Sequence, residues 1–225
     1  MIRVAIVDDH DLMREGIRAI LERDPLFQVV GETGDGQEAI RLAQTLRPDV
    51  VLMDVYLPGG LGGLEATEAI VKDCPDVKVI ILTQYENREY IRRALRIGAR
   101  GYLLKRSLAG QLKDAIRMVH GGQRYLHPAV AEELVDLVTT GKSLKSEEND
   151  YDRLTPREKQ VVKLLAEGKT SRDISKYLTI SLKTAMTHRA NIMAKFNMHS
   201  RTELVRWALQ RGIIPVDGED PGRRT

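Results

Sequence analysis

The sequence predicts an α/β doubly wound five-stranded parallel sheet followed by a small all-α domain. Its 225 residues exceed the usual length of one domain. Up to residue 120, short β-branched runs alternate with longer amphipathic stretches, which is typical of a parallel sheet covered by helices on both faces. From Leu154 onward there is no strand pattern, and four short amphipathic stretches indicate a helical domain.

Strands and helices of the first domain alternate in chain order. The predicted strands are Val4–Val7, Gln28–Gly31, Val50–Met53, Val79–Leu82 and Gly101–Leu104. The predicted helices lie near 12–23, 37–46, 62–73, 88–97 and 107–120, and Gly121-Gly122 ends the fifth. In sheets of this kind function gathers at the carboxyl ends of the strands, so chemistry is expected at that edge.

A polar linker is predicted between the domains. We expect domains at 1–121 and 154–216, a linker at 122–153 that includes a short helix near Pro128–Val138, and a polar tail at 217–225. The second domain opens with Thr155, Pro156 and Glu158, which together predict an N-cap, a first helical residue and a capping box.

Charge is divided sharply between the two domains. Residues 1–125 hold 18 Lys/Arg and 18 Asp/Glu, whereas residues 154–216 hold 12 against 4, a net charge of +8. A compact basic domain suggests a polyanionic partner for that domain alone. A merely solvated basic surface is the alternative that charge leaves open.

Cysteine content and the N-terminal sequence indicate a cytoplasmic protein. Cys74 is the single cysteine, so an internal disulfide and a multi-cysteine metal site are both excluded. The N-terminal apolar run meets acidic residues too early for a signal peptide or a membrane span, and no membrane partner is expected.

Polar side chains follow four of the predicted strands. Three carboxylates, a hydroxyl and an ammonium group are expected to meet at one edge of the sheet: Asp8, Asp9, Asp54, Thr83 and Lys105. Clustered carboxylates repel one another unless a cation neutralises them, and oxygen ligation fits Mg²⁺. An aspartate beside Mg²⁺ can act as the nucleophile that forms an aspartyl phosphate.

The residues of this pocket disfavour two alternatives to a site that is phosphorylated on aspartate. An aspartyl-nucleophile phosphohydrolase needs a second acid two positions after the nucleophile, where this sequence has Tyr56. The chain is therefore not expected to be an enzyme beyond self-phosphorylation from a phosphodonor and slow self-dephosphorylation. A regulator that works without phosphorylation usually lacks an acidic residue or the lysine, and none is lost here.

Residues 169–196 fit a helix-turn-helix. Thr170 can cap the first helix, and Ser181 can cap a second helix that runs to about Phe196. The outer face of the second helix carries Lys183, Met186, Thr187, Arg189 and Ala190. Small, polar and basic residues on that face suit the major groove of DNA, although protein-interaction bundles share the pattern.

Longer motifs add a resemblance to a known family. Residues 1–121 resemble a receiver domain in Val-Asp-Asp-His at 7–10, Met-Asp-Val at 53–55, Leu-Thr at 82–83 and Gly-Tyr-Leu-Leu-Lys at 101–105. Leu-Thr-Pro-Arg-Glu at 154–158, Ala-Glu-Gly-Lys-Thr at 166–170, Thr-His-Arg-Ala-Asn-Ile-Met at 187–193 and Ser-Arg-Thr-Glu-Leu-Val at 200–205 resemble a LuxR-type output domain. In this order the chain resembles the NarL/FixJ subfamily of two-component response regulators.

For the first domain the resemblance implies a flavodoxin-like fold and a set of site residues. Asp54 would accept phosphate from a sensor histidine kinase. Mg²⁺ would bind Asp9 and Asp54 directly, Asp8 through water, and the backbone carbonyl of Tyr56. His10 is expected to be a loop residue rather than a ligand.

The resemblance also implies a switch that follows phosphorylation. Lys105 would bind the phosphoryl group, Thr83 would move toward it, and Tyr102 would change rotamer. Phosphorylation would then promote homodimerisation, through helices one and five or four and five, and binding to a double-stranded DNA operator. RNA polymerase is a further candidate partner.

In the second domain the resemblance assigns DNA contacts and a pairing helix. The resemblance implies that Met186, Thr187 and Ala190 contact base edges. It implies that Lys183 and Arg189 contact phosphates. Met186 stands where many members have a basic residue, so its readout would be apolar, such as contact with a thymine methyl. Helix 201–210, with Leu204, Val205 and Ala208, resembles the dimer helix, and packing within its own domain is the alternative.

The loop after Asp54 departs from the common pattern. The loop at residues 57–64 is one residue longer than the common receiver pattern. It has a glycine at a position where Asp or Asn is frequent. Four glycines in five positions suggest unusual freedom of this loop.

Overall fold

The computed structural model describes residues 1–84, 88–128, 131, 150–211 and 213–214. The chain divides into two compact units, Met1–Glu147 and Glu148–Thr225. Of the predicted helix near Pro128–Val138, only Pro128 and Ala131 are described. Residues 139–149 of the linker and the tail at 217–225 also lie outside the described residues.

The first unit contains a parallel sheet with strand order β2-β1-β3-β4-β5-β6. The strands are β1 (Ile2–Val7), β2 (Phe27–Thr33), β3 (Val50–Asp54), β4 (Lys78–Thr83), β5 (Gly101–Leu104) and β6 (Tyr125–Leu126). The helices between them are α1 (Asp11–Glu22), α2 (Gly36–Leu46), α3 (Gly63–Asp73), α4 (Arg88–Arg96) and α5 (Leu108–His120), and a short 3-10 helix, Lys105–Ser107, precedes α5. The predicted doubly wound fold is confirmed.

The sixth strand is an addition to the five predicted. Gly122 adopts a left-handed conformation with φ +86° after α5 and turns the chain back toward the sheet. The Tyr125 N–H then donates to the Arg100 carbonyl at 3.0 Å, and the His127 N–H donates to the Tyr102 carbonyl at 3.0 Å. Two residues are too few to show a strand periodicity, so this edge strand could not be predicted from the sequence.

Both faces of the sheet are buried. One apolar core contains Ala5, Val7 and Met53 with side chains from α2, α3 and α4, and the other contains Ile6 and Leu52 with side chains from α1 and α5. A central strand in this position needs apolar residues on both faces, which explains the nearly continuous Val/Ile/Leu runs.

In the described residues of the second unit, all regular secondary structure is helical. After a 3-10 helix at Asp150–Arg153 come α6 (Pro156–Ala166), α7 (Ser171–Tyr177), α8 (Leu182–Lys195) and α9 (Arg201–Gln210), packed around one apolar core. Thr155 with Glu158, and Thr170 with Asp173, form two capping boxes. These reciprocal hydrogen bonds satisfy backbone N–H groups that a helix start leaves without partners.

No helix in the described part of the chain combines the length and the apolar character that a membrane span requires.

Candidate functional site

The carboxyl ends of β1, β3 and β5 bring three predicted residues together. Asp8 follows β1, Asp54 ends β3, and Lys105 follows β5. The Lys105 Nζ lies 2.8 Å from Asp54 Oδ2 and 2.7 Å from Asp8 Oδ2, and all three side chains are buried. Parallel strands in register explain the convergence, since Asp54 pairs with Leu82 on β4 and Thr83 pairs with Leu104 on β5.

Burial and charge set the electrostatics of this pocket. Burial raises the pKa of Asp54 from its ordinary value of 3.8 to about 6, and Asp8 adds to the rise, while Lys105 opposes it. For Lys105, burial lowers the pKa, but Asp54 and Asp8 outweigh burial and leave it above its ordinary value. One ammonium group therefore faces more negative charge than it can neutralise.

The donor set of the pocket fits a divalent cation. Asp8, Asp9, His10 and Asp54 each offer a ligand atom, and these atoms lie within 4.8 Å of one another. Asp8 Oδ2 is buried, and the Lys105 ammonium lies 2.7 Å from it. Carboxylate oxygens are the ligands that Mg²⁺ prefers, so the residues present fit this ion.

His10 lies closer to the pocket than the sequence led us to expect. Its Nδ1 is 2.8 Å from Asp9 Oδ1 and 3.2 Å from Asp8 Oδ1, and its backbone N–H donates to Asp8 Oδ1 at 2.9 Å. The ring is 46 % exposed and stands at the mouth of the pocket beside Asp9. His10 precedes α1, as expected for a loop residue, and its ring in addition contacts both Asp8 and Asp9.

The predicted switch residues also lie in the interior around Asp54. Thr83 and Tyr102 are both fully buried, at the end of β4 and within β5. The Tyr56 N–H donates to Asp54 Oδ1 at 3.3 Å, which orients the carboxylate. The Tyr56 ring meets the Tyr90 ring of α4 edge to face, with centroids 5.4 Å apart, and their hydroxyl groups are hydrogen-bonded.

Packing requires glycine at one position of the loop after Asp54. A Cβ on Gly63 would lie 1.7 Å from the Asp54 carbonyl oxygen, so this position excludes any other residue unless the backbone moves. The Gly63 N–H donates to the Val55 carbonyl at 3.1 Å, and the Thr67 hydroxyl donates to the Gly63 carbonyl at 2.7 Å. Gly59, in contrast, has φ +85° with open space around it.

In the second unit, a tight turn and an N-cap determine where α8 begins. Thr179 has φ +51°, and the Ser181 hydroxyl accepts the Thr184 N–H at 3.0 Å. Ala185 and Ile192 face the core. All five residues predicted to contact DNA are exposed: Lys183, Met186, Thr187, Arg189 and Ala190.

The structure corrects the prediction for α9 at two positions. Leu204 is 1 % exposed and Ala208 is fully buried, both in the core of their own unit. Side chains at this depth cannot contact a second chain, so ordinary packing explains them. Val205 is only partly buried and packs against the same core.

Comparison with known families decides the identity of both units. The model for the response regulator receiver domain matches residues 4–117, and the model for bacterial regulatory proteins of the luxR family matches residues 152–208. The chain belongs to the LuxR-type response regulators. It is a DNA-binding transcriptional regulator of the two-component class, with a receiver domain and an output domain.

Individual proteins agree with this assignment over nearly the whole chain. The transcriptional regulatory protein LiaR of Bacillus subtilis is 38% identical over 216 residues, covering 95% of this response regulator and 100% of LiaR. A solved structure of the RcsB response regulator of Salmonella typhimurium has a TM-score of 0.57 and 26% identity, and covers 92% of this chain and 98% of that one. RcsB in complex with DNA gives a TM-score of 0.56 with 26% identity, covering 92% and 96%.

Proposed function

We propose that Asp54 accepts a phosphoryl group from a sensor histidine kinase and that this modification controls operator binding. The observation that carries the proposal is the buried cluster in which the Lys105 ammonium bridges Asp54 and Asp8. Asp54 is held by the Tyr56 N–H and presents a carboxylate that can attack phosphorus. Lys105 is placed to bind a phosphoryl oxygen by a charge-assisted hydrogen bond.

Mg²⁺ is the proposed cofactor of this step. Asp9 and Asp54 would bind it directly, Asp8 through water, and Tyr56 through its backbone carbonyl. When bound, the ion offsets negative charge in the pocket and on the phosphoryl group. His10 orients the Asp8 and Asp9 carboxylates from the mouth of the pocket.

Thr83 and Tyr102 are the proposed switch residues. Attraction between the phosphoryl group and Thr83 would favour one of two packings at the ends of β4 and β5, and the buried Tyr102 ring would change rotamer with it. The receiver would then pair with a second copy, through α1 and α5 or through α4 and α5. Pairing raises the effective concentration of one output domain for the other at a symmetric operator.

For the output domain we propose that α8 enters the major groove. Lys183 and Arg189 would contact phosphates, and Met186, Thr187 and Ala190 would contact base edges. All five side chains are exposed, so each is accessible to DNA. Val205 on α9 remains a candidate for contacts between output domains.

We further propose domain limits of 1–121 and 154–216, a cytoplasmic location, and RNA polymerase as a partner of the DNA-bound dimer. We also propose that turnover is limited to self-phosphorylation and slow self-dephosphorylation.

Phosphorylation is tested by intact mass after incubation with acetyl phosphate and Mg²⁺. The wild-type chain should gain one phosphoryl group, and Asp54→Asn should gain none. Asp76→Asn is the matched control, since Asp76 is an exposed aspartate of the same domain, and it should be labelled like the wild type. A label that persists in Asp54→Asn would refute the assignment.

Operator binding is tested with DNA selected from random duplexes by the full chain in the presence of beryllofluoride. Lys183→Ala and Arg189→Ala should weaken binding to all sites similarly. Each lost phosphate contact should reduce the slope of log affinity against log salt concentration by about one unit. Thr187→Ala should change sequence preference instead. Sedimentation of the same samples should show a dimer, and a chain that binds the operator only as a monomer would contradict the pairing step.

A further inference from the structure

Exposed apolar side chains of the output domain concentrate around the helix-turn-helix. Among its described residues, the large apolar side chains with substantial exposure are Tyr177, Leu182 and Met186, at 56%, 43% and 56%. All three lie within ten consecutive positions that include the turn. Other large apolar side chains of this domain, such as Leu178, Phe196 and Trp207, pack against its core.

Leu182 and Met186 lie on the same side of α8. They are four positions apart, and residues at this spacing stack one above the other, about 6 Å apart along the helix axis. The Ser181 cap fixes the start of the helix, so neither residue lies in a frayed segment. The pair forms a short apolar ridge beside the exposed positions Lys183 and Thr187.

Charge around the ridge points to the kind of partner. Lys176, Lys183 and Arg189 are exposed close to it in sequence. Asp173, the acidic residue of α7, is engaged in the capping box with Thr170. A partner must therefore combine negative charge with small apolar groups. The major groove of DNA does so, because phosphates line it and thymine places a C5-methyl group in it.

We propose that Leu182 and Met186 read thymine methyl groups in the operator, so that this regulator selects A·T pairs where a basic side chain would select guanine. The inference rests on the proposed entry of α8 into the major groove. Neither side chain can donate or accept a base-edge hydrogen bond of normal strength, and both lose water-exposed apolar area on contact with a methyl group. The two recognised thymines lie within about two base pairs, since 6 Å along the helix spans roughly that many steps.

Replacing thymine by deoxyuridine tests the contact directly. Deoxyuridine lacks the methyl group and keeps every base-pair hydrogen bond. The selected operator is prepared with one deoxyuridine at each thymine position in turn, placed symmetrically in both half-sites. Full-length wild type, Leu182→Ala, Met186→Ala and Leu26→Ala are titrated with each duplex in the presence of beryllofluoride. Leu26 is an exposed leucine of the receiver outside α1, α4 and α5, and it serves as the matched control.

The wild type should lose about fourfold in affinity per methyl group removed at one or two positions of each half-site. Met186→Ala should bind the normal operator more weakly and become insensitive to deoxyuridine at one of these positions, and Leu182→Ala at the other. Leu26→Ala should behave like the wild type. Circular dichroism checks that each variant keeps its helices.

Other outcomes overturn the inference in distinguishable ways. Deoxyuridine that has no effect on affinity at any thymine, or that lowers the affinity of the wild type and both variants equally, would show that the ridge does not read methyl groups. The proposal of operator binding would be unaffected by this result. If Met186→Ala and Leu182→Ala bind DNA normally but fail to activate transcription in a reconstituted assay, the ridge contacts a protein such as RNA polymerase. A chain that selects no DNA sequence would overturn the proposed function as well.

Discussion

Replacing Asp54 by Asn should stabilise the receiver domain when divalent cations are absent. Asp54 is 3 % exposed, and its pKa rises from 3.8 to about 6 because the folded state buries it. A carboxyl group whose pKa is higher in the folded state binds its proton more tightly there. The free energy of unfolding therefore falls as pH rises through this range, and Asn avoids that loss because it stays neutral.

The size of the effect follows from the same shift. Each pKa unit corresponds to about 1.4 kcal/mol, so ionisation of Asp54 costs the folded state about 3 kcal/mol once the pH is well above 6. The Asn variant should exceed the wild type by up to that amount at pH 7. The difference should shrink between pH 6 and pH 4 and disappear below. Saturating Mg²⁺ should stabilise the wild type much more than the variant, because the ion binds the carboxylate.

Urea unfolding in EDTA, followed by circular dichroism at pH 4, 5, 6 and 7, measures this difference. Trp207 is the single tryptophan and belongs to the output domain, so its fluorescence gives an internal control that should not change. Asp76→Asn, at an exposed position, should leave both transitions in place. Equal unfolding of wild type and Asp54→Asn at pH 7 would refute the claim that burial destabilises the ionised Asp54 carboxylate.

The remaining predictions concern packing, an ion pair and a helix cap. Gly63→Ala should lower the unfolding free energy of the receiver by about 1–3 kcal/mol and slow labelling by acetyl phosphate, because its Cβ would overlap the Asp54 carbonyl oxygen. Gly110→Ala, in α5 with open space around it, should instead raise the unfolding free energy by about 0.5–1 kcal/mol in the same urea titration. Arg93→Ala should destabilise the receiver by about 1.5–3 kcal/mol in thermal unfolding, since it removes the charge-assisted hydrogen bond of 2.6 Å that the guanidinium donates to the partly buried Glu65. Replacing Arg93 by Met and Glu65 by Leu together should recover most of the loss. Thr155→Ala should cost the output domain about 1 kcal/mol in Trp207-monitored unfolding because α6 loses its cap.

Much of the receiver site could be predicted because topology determines it. In a parallel sheet the carboxyl ends of all strands lie at one edge, so Asp8, Asp54 and Lys105 had to approach one another once the strands were identified. The caps at Thr170 and Ser181 were equally predictable, because hydroxyl residues at helix starts satisfy local backbone groups.

What the sequence did not disclose depends on contacts between distant or irregular segments. Gly63 belongs to a glycine run that suggested mobility, but its lack of a side chain is needed for a close approach to the Asp54 carbonyl oxygen. The ring of His10 turns toward Asp8 and Asp9, and no periodicity reports a ring orientation. Leu204 has the spacing of a pairing face and also the spacing of a core face, and only its burial distinguishes the two.

The organisation of the output domain bears on how phosphorylation can reach DNA. The turn before α8 is held by contacts inside its own unit: Ser181 caps α8, Thr170 caps α7, and the Arg157 guanidinium donates to the Leu178 carbonyl at 2.6 Å. These hydrogen bonds all lie within the output domain. A signal from Asp54 then need not fold or reshape the recognition helix. The signal can act by bringing two folded output domains to the same operator. The gain in affinity then comes from their raised effective concentration rather than from new base contacts.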